Sequence, residues 1–396
     1  MSNNFPQVRI LPGRHKRVAG GHPWAFSNEL DMTAEAKALP PGSLVVLASH
    51  SGEAIGVAGF NPHSLIAARL IDRKPKTEID TGWLTDRLQH CLDLRSHLFD
   101  TPCYRLVHAE ADGLPGLIVD RFADRLSIQF NTALMERLRE PVLEALEAVL
   151  SPAAIVLRND SAVRKLEGLD IAVDVIKGDL TAPVEVAENG IRYLADLAGG
   201  QKTGWFFDQR DNRRFMASLS RGVRVLDVYS HTGGFAIAAA LATAESITAV
   251  DKSAPALALA EQAAVLNDCG GQCDFVKADA FNEMERLASA GERYGVVVAD
   301  PPAFVKSKKD LKAGIKAYRK MMRLATRLTA PGGSLFVASC SHHMTAELFD
   351  EQIRKTLADA NRSARILRRA GAAPDHPTHP FLPESGYLKA LTLQID

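Results

Sequence analysis

A cysteine between two serines ends an apolar run near the C-terminal end of the sequence. The segment LFVASCSHHM places Cys340 where a predicted buried strand gives way to polar residues. Cysteines in strands are usually buried and inert. A thiolate at the end of a strand can instead act as a nucleophile in covalent catalysis. The choice between these interpretations depends on the residues that the fold brings to the same place.

Three aspartates follow three successive predicted strands. VLDVYSHTGGFA runs from a buried strand through the Gly233–Gly234 turn into a helix, with Asp227 near the strand end. Asp251 closes ITAVD, where an acid accepts hydrogen bonds from ribose hydroxyls, and Asp279 ends FVKAD, beside the expected place of an adenine. The turn lacks the G-x-G-x-x-G fingerprint, and an acid beside it repels phosphate but suits an ammonium group.

A cofactor with ribose, adenine and an amino-acid end but no phosphate is S-adenosylmethionine. Any one of these acids could be a helix cap, but three acids after a Gly-Gly turn favour cofactor binding. This region resembles the class I S-adenosylmethionine-dependent methyltransferases. The cofactor site is expected to contain the residues named above together with a further set of neighbours: Tyr229, Phe235, Lys252, Ala280 and Asp300.

The segment VVVADPPAF closes the next predicted strand with Asp300. Pro301 and Pro302 fix the backbone and remove two N–H donors, so Asp300 and nearby carbonyls can face a planar ligand. Phe304 could stack on a base. The segment resembles the D-P-P-aromatic motifs of methyltransferases that modify nucleobases.

A nucleobase substrate gives Cys340 a chemical role. Cytosine C5 is a poor nucleophile, but thiolate addition at C6 produces an enamine whose C5 can take a methyl group. Asp300 can hydrogen-bond the N3/N4 edge of the ring. A thiol needs a lowered pKa for this step, and the candidates to lower it are the basic residues after Phe304 and the His342–His343 pair.

A wider resemblance covers nearly the whole chain. GQKTGWFFDQRDNR, residues 200–213, is similar to a signature of the large-subunit ribosomal RNA cytosine-5 methyltransferases that carry an N-terminal PUA domain. GHPWAFSNEL, AEADGLPGLIVDRF and AVRKLEG are similar to other parts of that family. SHTGGF differs from the family's SYTGGF at His231, and SCS is intact.

The resemblance implies roles for several further residues. It assigns the cofactor site Gln201, Thr203, Gly204 and Asp208. Lys202 and Arg210 could shape the same site or contact RNA phosphates, and Lys202 could equally form a structural salt bridge.

The same resemblance implies that the first 75 residues are a PUA-like barrel that holds structured RNA by shape and backbone contacts. Arg14, Lys16 and Arg17 are then expected to contact phosphates, as is Lys306 near the substrate. Trp24 is expected in the core. The implied partner is large-subunit ribosomal RNA.

Composition favours a cytoplasmic protein. Hydrophobic residues make up 46% of the 396 residues, and no apolar run approaches the roughly 20 residues of a membrane span. Five scattered cysteines suit a reducing compartment. CGGQC lacks a second Cys/His pair, which favours solvent-facing turn cysteines over a metal site.

The net charge is zero, but residues 306–323 hold eight basic side chains and one acid, which favours an anionic partner. A homodimer is possible.

These motifs need elements to position them. Short strands separated by Gly and Pro predict a small β-barrel over 1–75, and mixed patterns predict an α+β domain over 76–185. Apolar strands alternating with helices over 186–396 predict an α/β domain with a doubly wound, Rossmann-like parallel sheet.

Two other functions fit parts of this pattern. A ribosomal RNA guanine N-methyltransferase would share the DQRDNR and D-P-P-aromatic segments but would not need a cysteine nucleophile. A non-catalytic RNA-binding assembly factor would not need the intact cofactor-site acids, which argue against it. A small-molecule methyltransferase would not need the extra β-rich domain.

Overall fold

The computed structural model describes residues 5–200 and 203–396. The chain forms two compact units. The first covers Met1–Val184, Asp196–Trp205 and Pro374–Ser385, and the second covers Glu185–Ala195, Phe206–Ala373 and Gly386–Asp396. No helix in the described ranges is long and apolar enough to cross a membrane.

The first sheet of the first unit has the strand order β1-β3-β4-β5-β2. Its central strands are the apolar runs that the sequence predicts, and the side chains of Val45, Leu47 and Phe60 are buried in its core. Its elements are β1 Gln7–Arg9, α1 His15–Ala19, β2 Trp24–Ala25, α2 Ala34–Lys37, β3 Ser43–Ala48, β4 Ala54–Phe60 and β5 Ala68–Asp72.

The second sheet of the first unit has the order β10-β9-β8-β7-β6 and gives the middle region its α+β character. Pro141 lies in the first turn of its last helix, where a missing N–H costs little, and the helix break lies just before it at Leu138. The elements are α3 Thr81–Leu98, β6 Cys103–His108, β7 Leu117–Phe122, β8 Arg125–Phe130, α4 Ala133–Arg137, α5 Arg139–Leu150, β9 Ala154–Asn159 and β10 Ala172–Lys177.

A β-hairpin that the sequence analysis missed precedes the second unit's main sheet. It consists of β11 Val184–Glu188 and β12 Ile191–Ala195. Asn189 and Gly190 form the turn with φ of 54° and 78°, as a two-residue hairpin loop requires. The Asn-Gly pair between two alternating segments was the signal that could have found it.

The second unit contains a mixed sheet of order β15-β14-β13-β16-β17-β19-β18. Strands β13 to β17 are parallel, as predicted, whereas β18 and β19 are antiparallel additions at one edge. Antiparallel neighbours need no helical crossover, so residues 371–388 join β18 to β19 without an α-helix. The elements are α6 Arg210–Ser218, β13 Arg224–Val228, α7 Gly234–Leu241, β14 Ser246–Asp251, α8 Ala254–Leu266, β15 Cys273–Lys277, α9 Ala280–Ser289, β16 Tyr294–Ala299, α10 Leu311–Leu328, β17 Thr329–Ser339, α11 Ala346–Asp359, β18 Ala364–Ala370 and β19 Lys389–Ile395.

The order of the parallel strands determines where a ligand binds. From β13 the chain adds β14 and β15 on one side and β16 and β17 on the other. In such sheets the crevice beyond the carboxyl ends, at the point of reversal, is the ligand site. The loops after β13 and β16 therefore border the candidate site, and Tyr318, Met321 and Met322 of α10 pack in the core beneath it.

Candidate functional site

The loop after β13 has an unusual backbone. Tyr229 and His231 have φ of 65° and 51°, a left-handed conformation that costs non-glycine residues energy and often marks functional sites. The backbone N–H groups of Tyr229 and Ser230 both donate to the carbonyl of Val250, which fixes the loop against β14. Gly233 has φ of 77°, and a Cβ there would lie 2.9 Å from the Ala260 Cβ. The close packing therefore requires a glycine at this position.

Asp227 lies buried beneath this loop, in β13. Its carboxylate accepts a hydrogen bond of 3.0 Å from the backbone N–H of Ala236, in the first turn of α7. Burial, together with smaller effects from the nearby charges of Asp300 and Asp251, raises the pKa of Asp227 to about 7. The cationic groups nearby do not offset the cost of burying the Asp227 charge, so a bound ammonium group would stabilise the ionised form.

Asp251 ends β14, as predicted, whereas Asp279 lies two residues beyond the end of β15. Asp251 is half-buried and accepts hydrogen bonds from the N–H groups of His231 and Ser253 at 3.0 and 2.8 Å. Asp279 is exposed and caps α9, with one oxygen accepting from the N–H groups of Phe281 and Asn282, both at 3.1 Å. A carboxylate has about four acceptor positions, so both side chains can still accept from ribose or adenine groups.

Two buried polar atoms of the loop lack protein partners. Within the part of the chain that the structure describes, the Tyr229 hydroxyl and the Ser230 Oγ are buried and have no hydrogen-bond partner. Unsatisfied buried groups are rare in folded proteins and cost about 1–3 kcal/mol each. Together with the acids, they fit a polar ligand such as S-adenosylmethionine in this crevice. Phe235 and Ala280 are buried beside it, whereas Lys252 is exposed.

Asp300, at the end of β16, is oriented by a chain of amides. Its Oδ2 accepts a 2.8 Å hydrogen bond from the Gln209 amide, and the Gln209 oxygen accepts one of 2.6 Å from the Asn212 amide. Gln209 is buried and is a site residue that the sequence analysis did not single out, although it lies in the DQRDNR segment. Asp208 accepts a 2.6 Å hydrogen bond from the Tyr387 hydroxyl.

Cys340 follows β17 and is half-buried. The serines on both sides are fixed by one buried hydroxyl, since Ser339 Oγ donates to the Tyr318 oxygen and Tyr318 is hydrogen-bonded to Ser341 Oγ, both at 2.9 Å. Ser341 Oγ also accepts from the N–H of Val305 at 3.1 Å, which connects it to the segment after Asp300. The two strand ends that carry Asp300 and Cys340 are neighbours in the sheet.

Phe304 is half-buried among other aromatic rings rather than standing alone as a stacking platform. Its ring centroid lies 4.8 Å from that of Tyr318, 5.9 Å from that of Phe281 and 6.2 Å from that of Tyr229. It thus connects the cofactor loop to the residue that holds the Cys340 segment. Among the other predicted substrate residues, Pro301 is buried while Pro302 and Lys306 are exposed.

Arg210, a candidate for RNA contact, is buried. Its guanidinium lies 5.6 Å from the Phe207 ring, and its Nε lies 3.9 Å from the Glu188 carboxylate. Arg213 pairs with both oxygens of the same carboxylate. This setting favours a structural role for Arg210.

Gln201, Thr203 and Gly204 were also expected in the cofactor site. Thr203 is buried and, like Gly204, belongs to the first unit. Gln201 and Lys202 lie outside the described residues.

The predicted RNA contacts of the N-terminal region differ in their surroundings. Arg14 and Lys16 are exposed. Arg17 is half-buried and forms a 2.6 Å ion pair with Glu29, so it carries a compensated charge. Trp24, expected in the core, is half-buried and donates a 2.8 Å hydrogen bond to Glu110.

The interpretation of CGGQC as solvent-facing cysteines is wrong in one respect. Cys269 is buried and Cys273 half-buried, because the turn packs against the end of α8. In the described ranges, no cluster of three or more His, Cys, Asp or Glu side chains is arranged to hold a metal ion.

Comparisons with known proteins agree with this geometry. A family model described as S-adenosylmethionine-dependent methyltransferase matches residues 130–393, and a PUA-like domain model matches residues 8–73. A candidate S-adenosylmethionine-dependent methyltransferase from Streptococcus mutans has a similar structure, with a TM-score of 0.82 and 21% identity over 98% of this chain and 100% of that one. Another solved methyltransferase, complexed with SAH, has the same TM-score of 0.82, at 21% identity over 98% of this chain and 99% of its own. The expected fold, with its PUA-like N-terminal part, is confirmed.

Two curated relatives extend along the full chain. Ribosomal RNA large subunit methyltransferase I of Cronobacter sakazakii is 36% identical over 391 residues, 98% of both chains. The protein of the same name from Aeromonas salmonicida is 36% identical over 392 residues, again 98% of both. S-adenosylmethionine, expected from the three acids, is the cofactor of the matched family. The chain therefore belongs to the S-adenosylmethionine-dependent methyltransferase family, within the group of ribosomal RNA large subunit methyltransferase I proteins.

Proposed function

We propose that this protein methylates C5 of a cytosine in large-subunit ribosomal RNA, with Cys340 as the nucleophile. Large-subunit ribosomal RNA is proposed as the substrate because the two relatives are named ribosomal RNA large subunit methyltransferase I. The choice of base and mechanism is supported by the position of Cys340. It is a half-buried thiol at a strand end next to the strand end of Asp300.

The residues of this chain would divide the work as follows. Asp227, Asp251 and Asp279 would hold S-adenosylmethionine, which would supply an electrophilic methyl group. The Cys340 thiolate would add to C6 of the ring, and the electron pair moved to C5 would attack the methyl carbon as the methyl–sulfur bond breaks and S-adenosylhomocysteine leaves. Loss of the C5 proton to solvent then lets the thiolate leave and restores the aromatic ring. Asp300, held by Gln209, would bind the N3/N4 edge and stabilise the adduct.

RNA binding would involve both units. We assign residues 1–75 to the PUA-like RNA-binding domain, 76–185 to a central domain and 186–396 to the methyltransferase domain. Arg14 and Lys16 are exposed cations suited to phosphate contacts. Lys306 and the lysines after it would contact phosphates near the target base, which must leave its stack to reach Cys340 at a cost of a few kcal/mol. Ribosomal RNA as substrate would make the protein cytoplasmic.

Trapping the adduct tests the proposal. RNA that contains 5-fluorocytidine cannot lose a proton from C5 after methylation, so the covalent bond to the enzyme should persist. We expect a cofactor-dependent protein–RNA species on denaturing gels, with the crosslink mapped to Cys340 by mass spectrometry. Cys340→Ala should abolish it, while Cys273→Ala, a matched change at another half-buried thiol, should not.

The rival chemistry predicts a different outcome. A guanine N-methyltransferase would form no adduct and would retain methyl transfer after Cys340→Ala. Normal activity of that variant, together with methylguanosine in the product, would overturn the proposal.

A further inference from the structure

The C-terminal strand β19 carries a lysine beside the cysteine. Lys389 pairs with Ser339 across the antiparallel β17–β19 ladder. Its Nζ donates to two backbone carbonyls, those of Ser341 and Tyr387, both at 2.7 Å. One of these carbonyls belongs to the residue that follows Cys340. The ammonium is thus anchored to the backbone of the segment that carries Cys340.

The charge of Lys389 is not neutralised by an acid. Among the described residues it forms no ion pair with a carboxylate, and carbonyl oxygens are only partial negative charges. An ammonium has three N–H donors, so one remains after these two bonds. The side chain is half-buried, which makes its charge act over a lower effective dielectric than a surface lysine's does.

We infer that the Lys389 ammonium is the positive charge that keeps the Cys340 sulfur in the thiolate form. The inference rests on the proposed function, in which that thiolate attacks the base. Burial lowers the pKa of Lys389 to about 8, while its interaction with Cys340 raises it. Such coupling is reciprocal, so a thiolate that stabilises the ammonium is itself stabilised.

The other groups around Cys340 are less suited to this role. Tyr318 of α10 is neutral and holds the flanking serines, and burial raises its pKa. Asp300 at the end of β16 and Tyr387 before β19 cannot supply a positive charge at neutral pH. His342, one of the residues expected from the sequence to activate the thiol, is exposed and packs its ring 5.9 Å from that of Tyr387.

The pH dependence of thiol alkylation tests this role without methyl transfer. Full-length wild type, Lys389→Met and Lys389→Arg would be pulsed with iodoacetamide from pH 6 to pH 9.5, and labelling at Cys340 quantified by mass spectrometry. We expect Lys389→Met to move the alkylation midpoint upward by about one pH unit, which is about a tenfold loss of rate at pH 7. Lys389→Arg should stay close to wild type, and labelling at Cys273 should be the same in all three.

Two results would overturn the inference. One is a set of superimposable Cys340 profiles in the three proteins. The other result concerns wild type alone: a midpoint of Cys340 alkylation at or above about pH 8.5, the ordinary pKa of a thiol. Methyl transfer separates this failure from that of the proposed function. If Lys389 has no influence but Cys340→Ala abolishes 5-methylcytidine, only the lysine's role fails; if Cys340→Ala stays active, the proposed function fails as well.

Discussion

Removing one hydroxyl should test whether the Cys340 segment is held as the structure indicates. Tyr318 is fully buried, and its hydroxyl joins Ser339 and Ser341 through two hydrogen bonds of 2.9 Å. Tyr318→Phe removes both bonds and leaves a buried serine donor without its acceptor. At about 1 kcal/mol per bond, plus part of the desolvation cost of the orphaned group, the unfolding free energy should fall by about 2–3 kcal/mol.

Calorimetry and methyl-transfer kinetics would measure this effect together. For a unit of this size the midpoint temperature should fall by about 4–12 °C. Since the serines orient Cys340, kcat should fall by about 10- to 100-fold, with SAH affinity unchanged. Tyr104→Phe is the matched control: it removes a buried hydroxyl bonded to Arg121 at 2.9 Å in the first unit and should leave methyl transfer intact. A Tyr318→Phe protein with wild-type stability and wild-type kcat would refute this reasoning.

Three further predictions concern the cofactor loop and its support. The pKa of Asp227 is raised from 3.8 to about 7, so the folded state binds the extra proton and its stability should fall as pH rises between these values. In Asp227→Asn the plot of unfolding free energy against pH should have a flatter slope over this range. Parallel plots for the variant and the wild type, measured by denaturation at each pH, would count against this prediction. Arg213→Met removes the two close hydrogen bonds to the buried Glu188 carboxylate and leaves it the longer 3.9 Å contact with Arg210; this should cost about 3–5 kcal/mol in thermal unfolding, part of it recovered by adding Glu188→Leu. Gly233→Ala forces a left-handed alanine within 2.9 Å of the Ala260 Cβ and should weaken SAH binding several-fold by titration calorimetry, whereas an unchanged affinity would show that the loop tolerates it.

Elements with strong local patterns could be predicted from the sequence. The runs that became β13, β14 and β16 are mostly apolar because helices cover both faces of the sheet. The places of the three acids near the ends of these runs could be predicted for the same reason. The break before α5 was predictable because proline is tolerated only in a helix's first turn.

Contacts between distant segments could not be predicted in this way. Gln209 and Asp300 are 91 residues apart, and nothing local in either segment indicates that their side chains meet. Lys389 stands on β19, an antiparallel strand between β17 and β18, and the contact of its ammonium with the Ser341 carbonyl joins residues 48 positions apart. Arg210 looked like a surface cation because burial of an arginine depends on a partner, here Glu188, supplied by the unrecognised hairpin.

The most direct measurement is methyl transfer from labelled S-adenosylmethionine to total ribosomal RNA from cells that lack this protein. Wild type and Cys340→Ala would be compared, with nucleoside analysis of the product. With Cys340 as the nucleophile, we expect label in 5-methylcytidine with wild type and none with the variant. Label in a methylated guanosine that survives the substitution would contradict it.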